Sequence, residues 1–64
     1  MKNNIKEYRE YKNLTQEELS RKLDISFSQC RNIEKGRSIC SVEVALKIAR
    51  ILDSKVEDIF ILEE

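Results

Sequence analysis

Two stretches, Thr15-Gln16-Glu17-Glu18 and Ser26-Phe27-Ser28-Gln29, each place a hydroxyl residue three positions before an acid or amide, and they stand eleven residues apart. This is the capping-box pattern. The hydroxyl oxygen accepts from the third backbone N–H, and the longer side chain reaches back to the N–H of the cap. Each stretch therefore opens a helix, so the first of the two helices must end and the chain must turn within that interval. Leu19 and Leu23 supply the buried stripe of the first, and Asp24 falls where the chain reverses. Two helices of about nine residues joined by so short a turn must cross at a large angle, the geometry of a helix-turn-helix.

The rest of the chain reads helically around this pair, because apolar residues recur at helical spacing and the breaks carry cap and stop residues in order. A first helix covers about Ile5 to Lys12, with Ile5 and Tyr8 inward, and ends at Asn13, which tolerates a left-handed backbone. The helix after Ser26 runs to Lys35 and is stopped by Gly36, the sole glycine. Ser41 caps a longer helix to about Asp53, whose Val42, Ala45, Leu46, Ile48, Ala49 and Leu52 predict a wide apolar face and a central, buried position. Ser54-Lys55-Val56-Glu57 repeats the capping-box pattern before a short last helix. The expectation is an all-α, compact five-helix domain spanning residues 1–64, with helices at about 5–12, 16–23, 27–35, 42–53 and 55–60 and no strand.

Composition narrows the function classes. Hydrophobic residues at 41% with 38% charged and no proline suit a small helical core and not a disordered chain. The polar start MKNNIKEYRE lacks the apolar run of a signal peptide, so a cytoplasmic location is expected. With no histidine and two cysteines, Cys30 and Cys40, no metal site and no cofactor are expected, and the chain is too small to enclose an active site, so no enzyme is expected. Lys+Arg and Asp+Glu balance at 12 each, but they are not mixed. Arg31, Lys35 and Arg37 face only Glu34 between Ser26 and Ser41, whereas Asp53, Glu57, Asp58, Glu63 and Glu64 face only Lys55 at the end of the chain. That polarity suits a domain oriented on a polyanion.

On a wheel at about 100° per residue, Phe27, Ser28, Arg31, Asn32 and Lys35 share one arc of the third helix, and Cys30 and Ile33 lie opposite. One face is core and the other is free to read double-stranded DNA. Arg31 suits the O6/N7 edge of guanine and Asn32 the N6/N7 edge of adenine. Ser28 suits a base or a phosphate, and Phe27 either rests on a thymine methyl or packs against the protein.

Taken together, Ile5-Lys6-Glu7 with Arg9, Leu14 to Leu19, Lys22-Leu23, Ile25-Ser26, Ile33 to Gly36, Leu46 to Arg50 with Leu52, and Val56 to Phe60 resemble the Cro/C1-type (Xre) helix-turn-helix regulators of bacteria and phages. The resemblance covers Ile5 to Phe60. It implies a lambda-repressor-like fold and a sequence-specific DNA-binding regulator, expected to be a repressor. It implies that Gln16 binds a phosphate, that the loop Arg37 to Ser41 forms a second phosphate clamp, and that Arg9 and Glu34 form a structural ion pair. Arg37, Ser38 and Ser41, with Lys35 at the helix end, are accordingly assigned to phosphates, and Phe27, Ser28, Arg31 and Asn32 to bases.

The chain departs from the family pattern at four places. Asp24 stands where a turn glycine is usual, Cys40 where a proline is common, and Cys30 where a larger aliphatic residue would fill the core. Phe27 occupies a position often polar or basic. One short helix reads few base pairs, so a homodimer on a two-fold symmetric operator is expected. Ile59, Phe60, Ile61 and Leu62 are the candidate interface, being more apolar than one short helix can bury. The alternative is an antitoxin or interaction module with a protein partner.

Overall fold

The computed structural model describes residues 2–63. Its elements, in order, are β1 (Lys2–Asn3), α1 (Ile5–Tyr11), α2 (Gln16–Leu23), α3 (Phe27–Glu34), α4 (Val42–Ile51), α5 (Val56–Ile59) and β2 (Phe60–Ile61). Both capping boxes of the helix-turn-helix are formed. Thr15 Oγ1 accepts from the Glu18 N–H at 3.0 Å while Glu18 Oε1 accepts from that of Thr15 at 2.9 Å. Ser26 and Gln29 exchange the same pair of bonds at 3.1 and 3.0 Å. Ser41 caps α4 by accepting from the Val44 N–H.

α1, α2, α3 and α4 all end alike. Past each one the chain enters the left-handed region, at Asn13 (φ 58°), Asp24 (φ 58°), Gly36 (φ 76°) and Asp53 (φ 54°). Two N–H groups then fold back onto the last turn: Leu14 to the Arg9 carbonyl, Ile25 to Ser20, Arg37 to Asn32 and Ser54 to Ala49, each preceded by its shorter-range companion. This is the Schellman closure, which satisfies carbonyls that a helix end otherwise leaves open.

The third capping box does not form. α5 has Lys55 at its N-cap with no side-chain bond. The Ser54 N–H is committed to closing α4, and its hydroxyl donates to the Leu52 carbonyl at 3.2 Å, so Ser54 belongs to the end of one helix and cannot open the next. α5 is correspondingly short, and Phe60 leaves it for an extended backbone.

The all-helical expectation is corrected at the two ends of the chain. β1 and β2 pair antiparallel, Lys2 with Ile61 and Asn3 with Phe60. The Asn4 N–H donates to the Ile59 carbonyl at 2.7 Å and continues the ladder.

The core comprises Ile5, Leu19, Leu23, Cys30, Ile33, Ile48, Ala49, Leu52 and Ile59. Every element except the ribbon sends at least one side chain into it. The space bounded by Ile5, Leu19, Leu23, Ile25, Cys30, Ile33 and Ile48 has no room for a water molecule, so the smaller Cys30 is accommodated without a wet cavity. α4 is less buried than its composition suggests. Ile48, Ala49 and Leu52 are in the core, but Val42 is 76% and Leu46 57% exposed, because no element lies over the start and outer flank of this helix. Among the described residues no helix is long and apolar enough to cross a membrane.

Candidate nucleic-acid interface

α3 divides as its sequence demands. Cys30 and Ile33 are buried, while Phe27, Ser28, Arg31 and Lys35 are exposed and Asn32 is half-buried. The helix is held at both ends. At its start stand the Ser26 cap and the Asp24-Ile25-Ser26 turn, where Asp24 carries the left-handed conformation. At its finish, Arg9 of α1 reaches across. Its Nε donates to Glu34 Oε2 at 3.1 Å and its Nη2 to Oε1 at 2.9 Å, a forked pair, while Nη1 donates to the Leu14 carbonyl at 2.8 Å. Both side chains are buried, and the Glu34 carboxylate raises the Arg9 guanidinium further above its already high range. One arginine thus ties α1, the α1–α2 link and the last turn of α3 together.

The loop 37–41 is anchored to the same helix. The Asn32 carbonyl accepts from the N–H groups of Arg37 at 2.9 Å and Ser38 at 3.3 Å. Asn32, Gln29, Ser38, Cys40 and Ser41 line one cleft between α3 and this loop. One residue expected to read bases, Asn32, and two expected to clamp phosphate, Arg37 and Ser38, are therefore joined by backbone hydrogen bonds. Ser41 keeps its oxygen on the Val44 N–H, which leaves its hydroxyl proton free to donate to an anion.

Gln16, half-buried, opens α2 and shares a shallow groove with Phe27, Thr15, Asn13 and Arg9. Phe27 is 45% exposed and borders that groove, so its ring lies beside the α2 terminus. Around this face the charges are uneven. The ion pairs among the described residues are Arg9–Glu34, Lys12–Asp53, Arg21–Glu17 and Lys47–Glu43, and none uses Arg31, Lys35 or Arg37. Three unneutralised cations thus cluster at the end of α3 and in the loop after it. Burial pushes the thiols of Cys30 and Cys40 up, which keeps both protonated and weakly reactive at neutral pH.

The four C-terminal residues expected to form an interface separate. Ile59 is fully buried in the core and is removed from the candidates. Phe60 is half-buried, whereas Ile61 and Leu62 are 40% and 78% exposed. Sequence reasoning overlooks a second exposed apolar group, Ile39, Val42 and Leu46, by assigning the last two to the core. It also overlooks Asn3, whose amide bonds to α3; a lone asparagine in a polar N-terminal run carries no signal of a partner thirty residues away.

A helix-turn-helix family model matches residues 5–59. An uncharacterised HTH-type transcriptional regulator of Methanocaldococcus jannaschii is 48% identical over 64 residues, which is all of this chain and 97% of that protein. One from Archaeoglobus fulgidus is 42% identical, again over the whole chain and 90% of the relative. YgzD of Bacillus subtilis is 39% identical over the whole chain and 97% of its own length. Among solved structures, the crystal structure of SinR, the master regulator for biofilm formation, in complex with DNA is similar at a TM-score of 0.74 and 30% identity, covering 83% of this chain and 86% of that one.

Proposed function

The chain belongs to the Cro/C1-type helix-turn-helix family of DNA-binding transcriptional regulators, a non-enzymatic class with a lambda-repressor-like fold, and on that premise we propose that it is a sequence-specific repressor that reads an operator with α3. The observation that carries this reading is the two-sided third helix. Cys30 and Ile33 fix one side in the core, and Arg31, Asn32, Ser28 and Phe27 stand on the other, followed by two further cations, Lys35 and Arg37, that form no ion pair. Arg31 and Asn32 are the base readers in this proposal, since guanidinium and carboxamide groups each form paired bonds to a base edge. Gln16, Lys35, Arg37, Ser38 and Ser41 grip phosphates, and Phe27 buttresses Gln16 while presenting its exposed edge to the groove. The relation to a protein solved in complex with DNA supports DNA binding by this chain.

Two copies act together in this proposal. Half-sites one helical turn apart lie about 34–36 Å from centre to centre. One copy measures 31 × 21 × 18 Å, so two copies that meet end to end along the long axis bring their centres near that spacing.

The test is selection of binding sites from random duplex DNA, followed by variants on the selected duplex. Arg31→Ala and Asn32→Ala each weaken the selected site by roughly 1–3 kcal/mol and leave random duplex nearly unchanged. Arg37→Ala weakens both and flattens the salt dependence. Equal losses on selected and random duplex from Arg31→Ala and Asn32→Ala overturn the base-reading role, and recovery of a single asymmetric half-site overturns the two-fold arrangement.

A further inference from the structure

The last turn of α3 is gripped twice from the N-terminal segment, at consecutive residues. Arg9 holds the Glu34 carboxylate, and Asn3 Nδ2 donates to the Ile33 carbonyl at 2.9 Å. The two grips differ in kind. A carboxylate rides on rotatable bonds, so the Arg9 pair tolerates small movements of the helix. The Ile33 carbonyl is part of the helix backbone and already accepts from the Gly36 N–H, so the Asn3 bond fixes the helix itself. Asn3 in turn is immobilised. Its Oδ1 accepts from the Ile5 N–H at 3.1 Å at the start of α1, and its backbone pairs with Phe60 in the ribbon. One amide side chain therefore registers the far end of α3 against α1 and against the joined ends of the chain.

Resting on the DNA reading above, we infer that Asn3 is a positioning residue for base recognition: it sets the inclination of α3 so that Arg31 and Asn32 meet base edges while Gln16 and the 37–41 loop hold phosphates. Base contacts depend steeply on donor–acceptor distance and angle, whereas phosphate contacts position the protein without carrying sequence information. A slight swing of α3 about its Ser26 end therefore costs discrimination before it costs attachment. Asn3 touches no DNA in this scheme and acts through the helix.

Asn3→Asp removes the bond, because a carboxylate still accepts from the Ile5 N–H but cannot donate to the Ile33 carbonyl, and Asn3→Ala, which adds no charge, is measured beside it to separate the bond from the added charge. The probes are the duplex that the unmodified chain enriches from a random pool and an unrelated duplex of equal length, both measured over a range of salt concentrations. The expected result is a fall of about tenfold for the enriched duplex, with the unrelated duplex and the salt slope unchanged. Faster amide exchange confined to the last turn of α3 should accompany it. A merely structural role lowers both affinities together in proportion to a lowered melting temperature, and that result overturns the proposal, as does unchanged discrimination. Should Asn3→Asp not fold, Asn3→Ala is read against the same two outcomes. Failure of the unmodified chain to enrich any duplex overturns the DNA reading and this proposal with it, and it is distinguishable because it precedes any variant.

Discussion

Arg9 is only 8% exposed yet carries a full charge, which is tolerable because Glu34 and the Leu14 carbonyl take up its donors. Removing one partner of such a pair is far more damaging than removing both, since it strands a charge away from water. Arg9→Met should cost about 3–5 kcal/mol, read from the urea midpoint. A chain of 64 residues has a total stability of roughly 3–10 kcal/mol, so the single variant lies near unfolding. Arg9→Met combined with Glu34→Leu should recover most of the loss. A double variant as unstable as the single would show that the two groups are not coupled. The sequence exposes this pair only through its family resemblance, because twenty-five positions separate the partners and nothing local links them. The exposed face of α3, by contrast, follows from a helical wheel, since Cys30 and Ile33 mark the buried side unaided.

At the scale of elements, what is legible is what is local. Helix starts follow from hydroxyl residues and their partners three places on, and these lie within the reach of a single turn. The box at Ser54 fails because a competing local claim, closure of α4, takes the same residue first. The exposure of Val42 and Leu46 is not legible, because a periodic pattern tells which residues are apolar but not whether a neighbouring element covers them. The shared manner of helix closure makes a sharp prediction. Asp24 holds a left-handed backbone that glycine adopts freely, so Asp24→Gly should raise stability by about 0.5–1 kcal/mol, measured by thermal unfolding. A loss instead would show that the Asp24 side chain contributes more than its backbone costs. The α2 cap adds a pH dependence. The Thr15 N–H and hydroxyl hold the Glu18 carboxyl below its usual range. A lowered folded-state value stabilises fully above the ordinary carboxylate value of about 4.3 and is lost as pH falls through the folded value. The melting temperature of Glu18→Gln should therefore trail the unmodified chain at neutral pH and converge with it under acid conditions. A gap that persists in acid would assign the effect to shape and not to charge.

For the whole molecule, the pairing of two copies proposed above has two candidate contacts among the exposed apolar side chains, Ile61 with Leu62 and Ile39 with Val42 and Leu46. The first lies at and beyond a strand of a two-stranded ribbon, so it offers unpaired backbone groups as well as side chains, the feature that invites a second chain. Ile61→Asp with Leu62→Asp should therefore abolish the proposed dimer in sedimentation, while Val42→Glu should not. The reverse pattern would move the contact to α4. The ribbon itself is the part of the fold least legible in the sequence, since a two-residue strand shows no alternation and its partner lies at the other end of the chain. That same remoteness bears on how the protein is made. The closures of α1 to α4 and the caps of α2 to α4 are between near neighbours and can form as they leave the ribosome, but Lys2 and Asn3 must wait for Phe60 and Ile61 to emerge. A nascent chain halted before those residues would carry the helix-turn-helix without its final seam, so the seam should close after the helices have formed.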